Sequence, residues 1–495
     1  MLVEAVIIIL SLFCLYFAFR KPPGLPPGVW GLPILGKFPS TSVRFGDQVK
    51  ALRPLYGDLI SWRVGSRLLV FLCNQHLIKL ALSKQEFTNR PDFSTFLIYS
   101  RGSFQGVIFG NGAKWQIHRR FVLRHLRNLG MGKNKVEHDI QEEAMLLVQD
   151  LKNHTDKDET LPMSIGLAAL NVIWKMVAST RFKMDDPQAL EFIRLVWSVN
   201  DTFQGSVTLF NFFPWLESYS PRWLQERLGL KKLQDTTEEL YNIAKKYVKQ
   251  HEEEHEPNNE RDLIAQYLSA MKGEENEDSV LSVKELLVVV VDLFLAGTET
   301  TSSTLRWAIL YLAKYPEIQR RVQREIDEVL PRGTIPQYHD RTKLPYFEAV
   351  LSEVNRIVSL SPLGIPHVAS QDTQLEGYII PKGAVLLPHL ECCHKDPELW
   401  EKPDQFYPEH FLDAEGKFVN REGLMPFAVG RRVCLGESLA RVEVVVFLAA
   451  LLQNFTFTAP EGEPLSTEND PKEFSLNSPK PYRITITERK SEAEK

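Results

Sequence analysis

With 495 residues, 44% of them hydrophobic, the chain can bury one large core or several smaller ones. A net charge of −5, with no strongly basic domain, excludes a general nucleic-acid binder. The cysteines, Cys14, Cys73, Cys392, Cys393 and Cys434, are odd in number and lack framework spacing, which suits free thiols in a reducing compartment better than a secreted disulfide scaffold.

The first element, residues 1–19, is apolar from Ala5 to Phe19 and approaches the roughly 20 residues that span a bilayer. A basic pair, Arg20 and Lys21, follows it, and bulky Phe17 and Phe19 stand where a signal peptidase would cut. An uncleaved anchor is therefore expected, with the bulk of the chain on the cytosolic face. Residues 20–40 form a proline-rich hinge, with five prolines between Pro22 and Pro33, expected to act as a stiff, extended spacer. No comparable linker follows, so 41–495 reads as a single large catalytic domain, mainly α with small β-sheets.

Within that domain LLVFLC (68–73) and AVLLPHL (384–390) have the short apolar character of strands. The strongest helix runs from about Ser282 to Ala313 and stops before Tyr315-Pro316; at 1.5 Å per residue it would span about 48 Å and cross the domain. Asp292 interrupts its apolar stretch, which is too short to cross a membrane, so a core helix is expected. A second helix, LARVEVVVFLAALLQNF (439–455), is apolar on nearly every face and therefore buried.

Two patterns suggest metal sites and are read otherwise. HEEEH (251–255) fits a zinc-protease spacing but lies in an acidic run, so a solvated helix end is expected. Cys392, Cys393 and His394 are adjacent in what reads as an extended segment, where neighbours face opposite ways, so core and turn roles are expected.

The stretch FAVGRRVCLG (427–436) carries the chemistry. Glycines flank Cys434, permitting tight turns and close approach of something flat. The sulfur precedes the buried helix, whose N-terminal amides favour a thiolate. Arg432, two residues earlier, can pair with a carboxylate of the same bound group. Thiolate, arginine and a flat apolar face together describe haem held by sulfur.

With that reading in place, the chain resembles a microsomal cytochrome P-450, a haem-thiolate monooxygenase. AGTETT (296–301) resembles the family's oxygen-activation motif, EVNR (353–356) its Glu-x-x-Arg helix, and WQIHR (115–119) its propionate-contacting helix. PEHF (408–411) stands where Pro-Glu-Arg-Phe is usual, with His410 in place of arginine. The resemblance covers essentially the whole chain. It implies the cytochrome P-450 fold, haem b with Cys434 as axial metal ligand, and NADPH used through a flavoprotein reductase. Haem contacts are implied for Arg432, Trp115, Arg119 and His367, with Phe427 and Gly436 in the cysteine loop. Arg90 is nominated by position alone, beside an equal reading as a surface arginine. Thr300 and Glu299 are implied in proton delivery, with small Ala296 and Gly297 leaving room for a ligand.

Seven Lys/Arg residues and no acid lie between Lys114 and Lys135, which suggests a docking face for an acidic reductase. Segments 103–109, 203–216 and 361–368 are apolar and aromatic, so a neutral lipophilic substrate partitioning from the endoplasmic reticulum membrane is expected. RRFVLRHLRNLGMG resembles arthropod members. Epoxidation of a juvenile-hormone precursor such as methyl farnesoate is one role known there; hydroxylation of ecdysteroids or xenobiotics is another. An oxygen-independent isomerase or a haem sensor are readings from other classes.

Overall fold

The computed structural model describes residues 20–131, 134–202, 205–254, 261–273, 280–470 and 476–489. The apolar segment 1–19 lies outside them. The remainder is chiefly helical, with one five-stranded sheet and two smaller ones.

The larger sheet contains β1 (Gly28–Val29), β2 (Leu59–Val64), β3 (Arg67–Leu72), β4 (His367–Val368) and β5 (Val385–Pro388), in the order β1-β2-β3-β5-β4. Both strands foreseen in the sequence are here, β3 and β5, paired in parallel from Leu69↔Val385 to Leu72↔Pro388. The hinge is not a free spacer: β1 extends the sheet edge, with Gly28 opposite Ser61 and Pro27 accepting from the Ser61 amide at 2.8 Å. Gly28 has φ +149 and an added Cβ would meet the Ser61 carbonyl oxygen at 1.9 Å, so only glycine lets the hinge dock there.

Six helices bear on the site: α1 (Gly112–Asn128), α2 (Leu230–Glu253), α3 (Val283–Lys314), α4 (Pro345–Val358), α5 (Leu390–His394) and α6 (Glu437–Asn454). Helix α3 begins where the Ser282 hydroxyl accepts from the Glu285 amide at 3.2 Å, and gives way at Tyr315 to a new helix opened by Pro316. It is long and apolar enough to cross a membrane but largely buried, hence a core helix. Trp174 of the helix Ser164–Ala178 stacks on Phe294 at 4.0 Å, a contact adding about 0.5–1.5 kcal/mol beyond area burial. Gly297 faces that helix too. A Cβ there would meet Ile173 at 2.6 Å, so Gly297 serves helix packing rather than making room for a ligand.

Two further expectations need correction. His251 is not solvated: it is 5% exposed at the end of α2, with Nε2 2.9 Å from Asp262. The amphipathic α2 turns that face inward; His255 lies outside the described residues. The segment holding Cys392 and Cys393 is the short helix α5 rather than extended chain, though the two cysteines still enter separate apolar clusters. Among the described residues no His/Cys/Asp/Glu group is arranged to hold a metal ion.

Candidate functional site

The loop Phe427–Gly436 enters α6 through a single 3₁₀ turn, Gly430–Arg432. Ala428 (φ +56) and Gly430 (φ +83) both lie in the left-handed region, and a Cβ on Gly430 would strike the Leu82 carbonyl oxygen at 2.3 Å. These turns fold the loop back so that the Cys434 amide donates to the Phe427 carbonyl at 3.0 Å. Gly436 needs no special φ, and a Cβ there would meet nothing within 4 Å.

Cys434 is exposed at a cavity of about 980 Å³, lined also by Arg119, Arg127 and Met131 on one wall and Glu437 and Arg441 on another. Burial pushes its thiol up, while the Gly436 and Glu437 amides and the Arg119 charge pull the other way. The expected pull of the helix N-terminus on the sulfur is therefore present but outweighed by desolvation. Arg441 stacks over the Phe427 ring at 4.9 Å, closing the loop on its outer side.

Arg432 turns inward and is 8% exposed, while Arg431 is exposed. Arg432 lies 3.6 Å over the Trp115 ring and donates from Nε to the Thr88 carbonyl (2.9 Å) and from Nη2 to the Gly110 carbonyl. Trp115, 4% exposed, donates its indole N–H to the Val107 carbonyl at 3.2 Å. Arg119 donates to the Val433 carbonyl beside the cysteine. Arg90 is 5% exposed, which removes the surface reading; it donates to the carbonyls of Ile108, Ile365 and Pro366 at 3.0–3.1 Å. His367 offers Nδ1–H to the Phe87 carbonyl at 2.7 Å and is held neutral, its pKa forced far below the usual value by burial and then by Arg90 and Arg432.

Among the described residues no carboxylate forms an ion pair with Arg90, Arg119 or Arg432. Burial, Arg90 and Arg119 push Arg432 down to about 7; burial and Arg119 push Arg90 down to about 9. Arg432 Nη1 is buried with no partner among the described residues. Three convergent guanidiniums and an orphaned donor fit the carboxylates of an organic cofactor such as the haem propionates.

On α3, Ala296 is exposed and Thr300 partly so; the Thr300 hydroxyl donates back to the Ala296 carbonyl at 2.6 Å. The carboxylate of Glu299 does not face the same way. It is buried, 5% exposed, and accepts from the Ser303 hydroxyl at 2.7 Å.

Behind the loop, Glu353 and Arg356 of α4 are both fully buried and joined by two 2.7 Å bonds. Arg356 also donates to the carbonyls of His394, Pro403 and Gln405. His410 Nδ1 meets Glu353 at 3.2 Å, and its Nε2 accepts from the Lys402 amide at 3.1 Å. An imidazole that accepts at one nitrogen is neutral, so replacing arginine by His410 leaves a balanced Glu353–Arg356 pair.

The roles of two acids, Asp292 and Glu443, were not foreseen in the sequence. Asp292 accepts from the Val107 and Ile108 amides at 2.7 and 3.0 Å, clamping the loop whose carbonyls hold Trp115 and Arg90. Glu443 of α6 accepts from Thr301 of α3 at 2.8 Å. The available signal was an acid set within an apolar run of its helix, which must find a partner.

The family model described as Cytochrome P450 matches residues 25–486. Similar curated proteins include Cytochrome P450 2L1 of Panulirus argus, 53% identical over 96% of this chain and 97% of that one. Cytochrome P450 2J2 of Homo sapiens is 38% identical over 90% and 88% of the two chains. Cytochrome P450 2F3 of Capra hircus is 35% identical over 98% of each.

Proposed function

The chain belongs to the cytochrome P450 family, and on that premise we propose that its cleft oxygenates a neutral, lipophilic molecule drawn from a membrane. It is a monooxygenase that uses haem with a cysteine thiolate and takes electrons from NADPH through a reductase. When bound, haem supplies the iron at which dioxygen is activated, assisted by electron donation from the thiolate.

The chain's own residues divide the remaining work. Cys434 presents the sulfur. Arg90, Arg119 and Arg432 would hold the carboxylate edge, with the Trp115 ring stacked under Arg432; His367 stays neutral beside them, its Nδ1 proton committed to Phe87. Thr300 carries a hydroxyl proton to the cleft side of α3. Glu299 stands outside that path, its carboxylate turned to the Ser303 hydroxyl.

The observation that carries the substrate class is a continuous run of aromatic contacts through the apolar segments. Phe109 stacks on Phe96 at 4.1 Å, Phe96 meets Phe93 at 5.2 Å, and Phe93 meets Phe212 at 6.2 Å. This chain joins segments 103–109 and 203–216, and Arg90 ties Ile108 to Ile365 and Pro366 in the third. Three apolar segments brought together without charged side chains of their own support a neutral lipophilic substrate, with methyl farnesoate, ecdysteroids and xenobiotics as the candidates.

Two outer surfaces support the setting. Leu32, Ile34 and Phe38 of the hinge and Trp215, Tyr219 and Trp223 are exposed, 44–82%. Phe38 stacks on Phe213 at 5.6 Å, bringing the hinge to the helix Trp215–Tyr219. We assign this apolar face to the endoplasmic reticulum bilayer on its cytosolic side. Arg127 and Arg441 line the Cys434 cavity and are exposed, and Arg120, Arg124, Lys135 and Arg431 are exposed on the segments beside them in sequence, a basic set suited to an acidic flavoprotein.

The test is a spin-state binding titration of the ferric holoprotein with sesquiterpenoids, ecdysteroids and fatty acids. Saturable shifts with neutral terpenoids are expected; a shift confined to anionic fatty acids overturns the neutral-substrate reading.

A further inference from the structure

His118 lies in α1 between Trp115 and Arg119, yet its side chain takes no part in the site described above. It is buried. Its Nδ1 lies 2.9 Å from the Lys114 carbonyl, one turn back; a carbonyl only accepts, so Nδ1 carries a proton. Nε2 points the other way, 2.9 Å from the Tyr267 hydroxyl of the helix Leu263–Gly273 and 3.8 Å from Glu285 Oε2 of α3. Three helices therefore meet at this imidazole.

Glu285 gives that meeting a consequence. It is buried too, and its Oε2 accepts from the Gly106 amide at 3.3 Å. Gly106 has φ +76, and a Cβ there would meet Asp292 Oδ2 at 2.3 Å and Val288 at 2.6 Å, so the loop backbone lies directly on α3. Asp292 takes the next two amides, Val107 and Ile108. The carbonyls of the same loop hold Trp115, Arg90 and, at Gly110, Arg432. Among the described residues no lysine or arginine lies within ion-pair distance of Glu285, whereas His118 does. A buried carboxylate without a cation is costly, and this imidazole becomes one only when Nε2 also takes a proton.

We propose that His118 is a positioning residue: protonated at Nε2, it pairs with Glu285 and latches the Gly106 end of the loop to α1 and α3. The Tyr267 hydroxyl then turns from donor to acceptor. Without the second proton, Nε2 accepts from Tyr267, Glu285 keeps an unpaired charge, and the Gly106 contact loosens. The latch is thus present at low pH and lost as pH rises. Segment 103–109 is one of the three assigned to the substrate, so affinity should follow the latch. That consequence rests on the proposed function; the latch itself does not.

Among the described residues, Tyr267 and Glu285 are the titratable groups that face His118 from the helices packed on it. Asp292 bears on the same loop with the opposite sign. Burial pushes it up to about 7 against the pull of the Ile108 and Val107 amides, so it gains charge and grips harder as pH rises through that value.

The experiment is hydrogen–deuterium exchange on the haem-loaded full chain without substrate, read on the peptide that covers 103–109 and corrected for intrinsic exchange. It compares the unsubstituted chain with His118→Gln at about pH 6 and about pH 8, within the range where histidines change charge; Asp292 is common to both chains. At the lower pH the unsubstituted chain should protect these amides about fivefold or more better, and at the higher pH the two should converge. In a Glu285→Gln background, which keeps an acceptor for Gly106, His118→Gln should change nothing. An equal deficit at both pH values would mean that His118 only fills space, and overturns the proposal; so does the absence of any deficit. A spin-state titration with a neutral sesquiterpenoid at the same two pH values reads the consequence. A pH-dependent latch with unchanged affinity would take the loop out of the substrate wall and leave the latch standing.

Discussion

Arg432 shows how one residue joins sequence pattern to site chemistry. Its charge is buried among two other arginines with an unused donor, a state that a carboxylate would relieve. Arg432→Lys keeps the charge but loses the planar fork. Haem transfer to a scavenger protein should then speed up by about tenfold or more, the counterpart of the ~1.5–3 kcal/mol a charged hydrogen bond contributes. Circular dichroism should stay unchanged; unaltered haem retention would remove Arg432 from the carboxylate site. Thr300→Ala tests the other side of the cleft. The absorption spectrum should survive, while product formed per NADPH falls by about tenfold or more and peroxide rises in its place. Unchanged coupling would show that this hydroxyl passes no proton. Cys434, Arg432, Trp115 and Thr300 could be nominated from the sequence because each sits in a short local pattern. The burial of Arg90 could not be read there, since carbonyls far away in sequence define it.

Among the elements, α4 and α6 hold the cysteine loop from behind. Glu353→Gln leaves Arg356 as an unpaired buried charge and should cost about 3–5 kcal/mol in denaturant unfolding. His410→Ala should cost less, because the imidazole it removes is neutral. Equal losses would mean that His410 carries charge. The tie between α3 and α6 predicts a pH dependence. Burial raises Glu443 from the ordinary 4.5 to about 8, opposed by its bond from Thr301. Between those values the native state keeps a proton that the unfolded chain releases, so Glu443 lowers stability as pH rises from 4.5 to 8. Glu443→Gln should flatten that slope while keeping the Thr301 bond; an unchanged slope would assign it elsewhere. Helices α3 and α6 could be read from their long apolar runs alone. Which face of α3 met which neighbour could not, and so Gly297 was placed on the ligand side when it packs on Ile173.

Across the whole molecule, the basic set and the apolar face lie on different segments and predict separate responses. Raising ionic strength should slow reductase-driven turnover more than peroxide-driven turnover, because long-range attraction between exposed charges is screened within about 10 Å at 0.1 M salt. Equal slowing of both would remove the docking role from Arg120, Arg124 and Arg127. The single haem domain and its mixture of long helices with small sheets were legible in the sequence. The docking of the hinge as β1 was not, since a proline-rich segment carries no record of the Ser61 edge it joins. The central claim is that Cys434 binds the haem iron as thiolate. The most direct test is the difference spectrum of the reduced carbonyl form. The unsubstituted protein should give the long-wavelength Soret band of thiolate ligation and Cys434→His should lose it; survival of that band in Cys434→His would contradict the account.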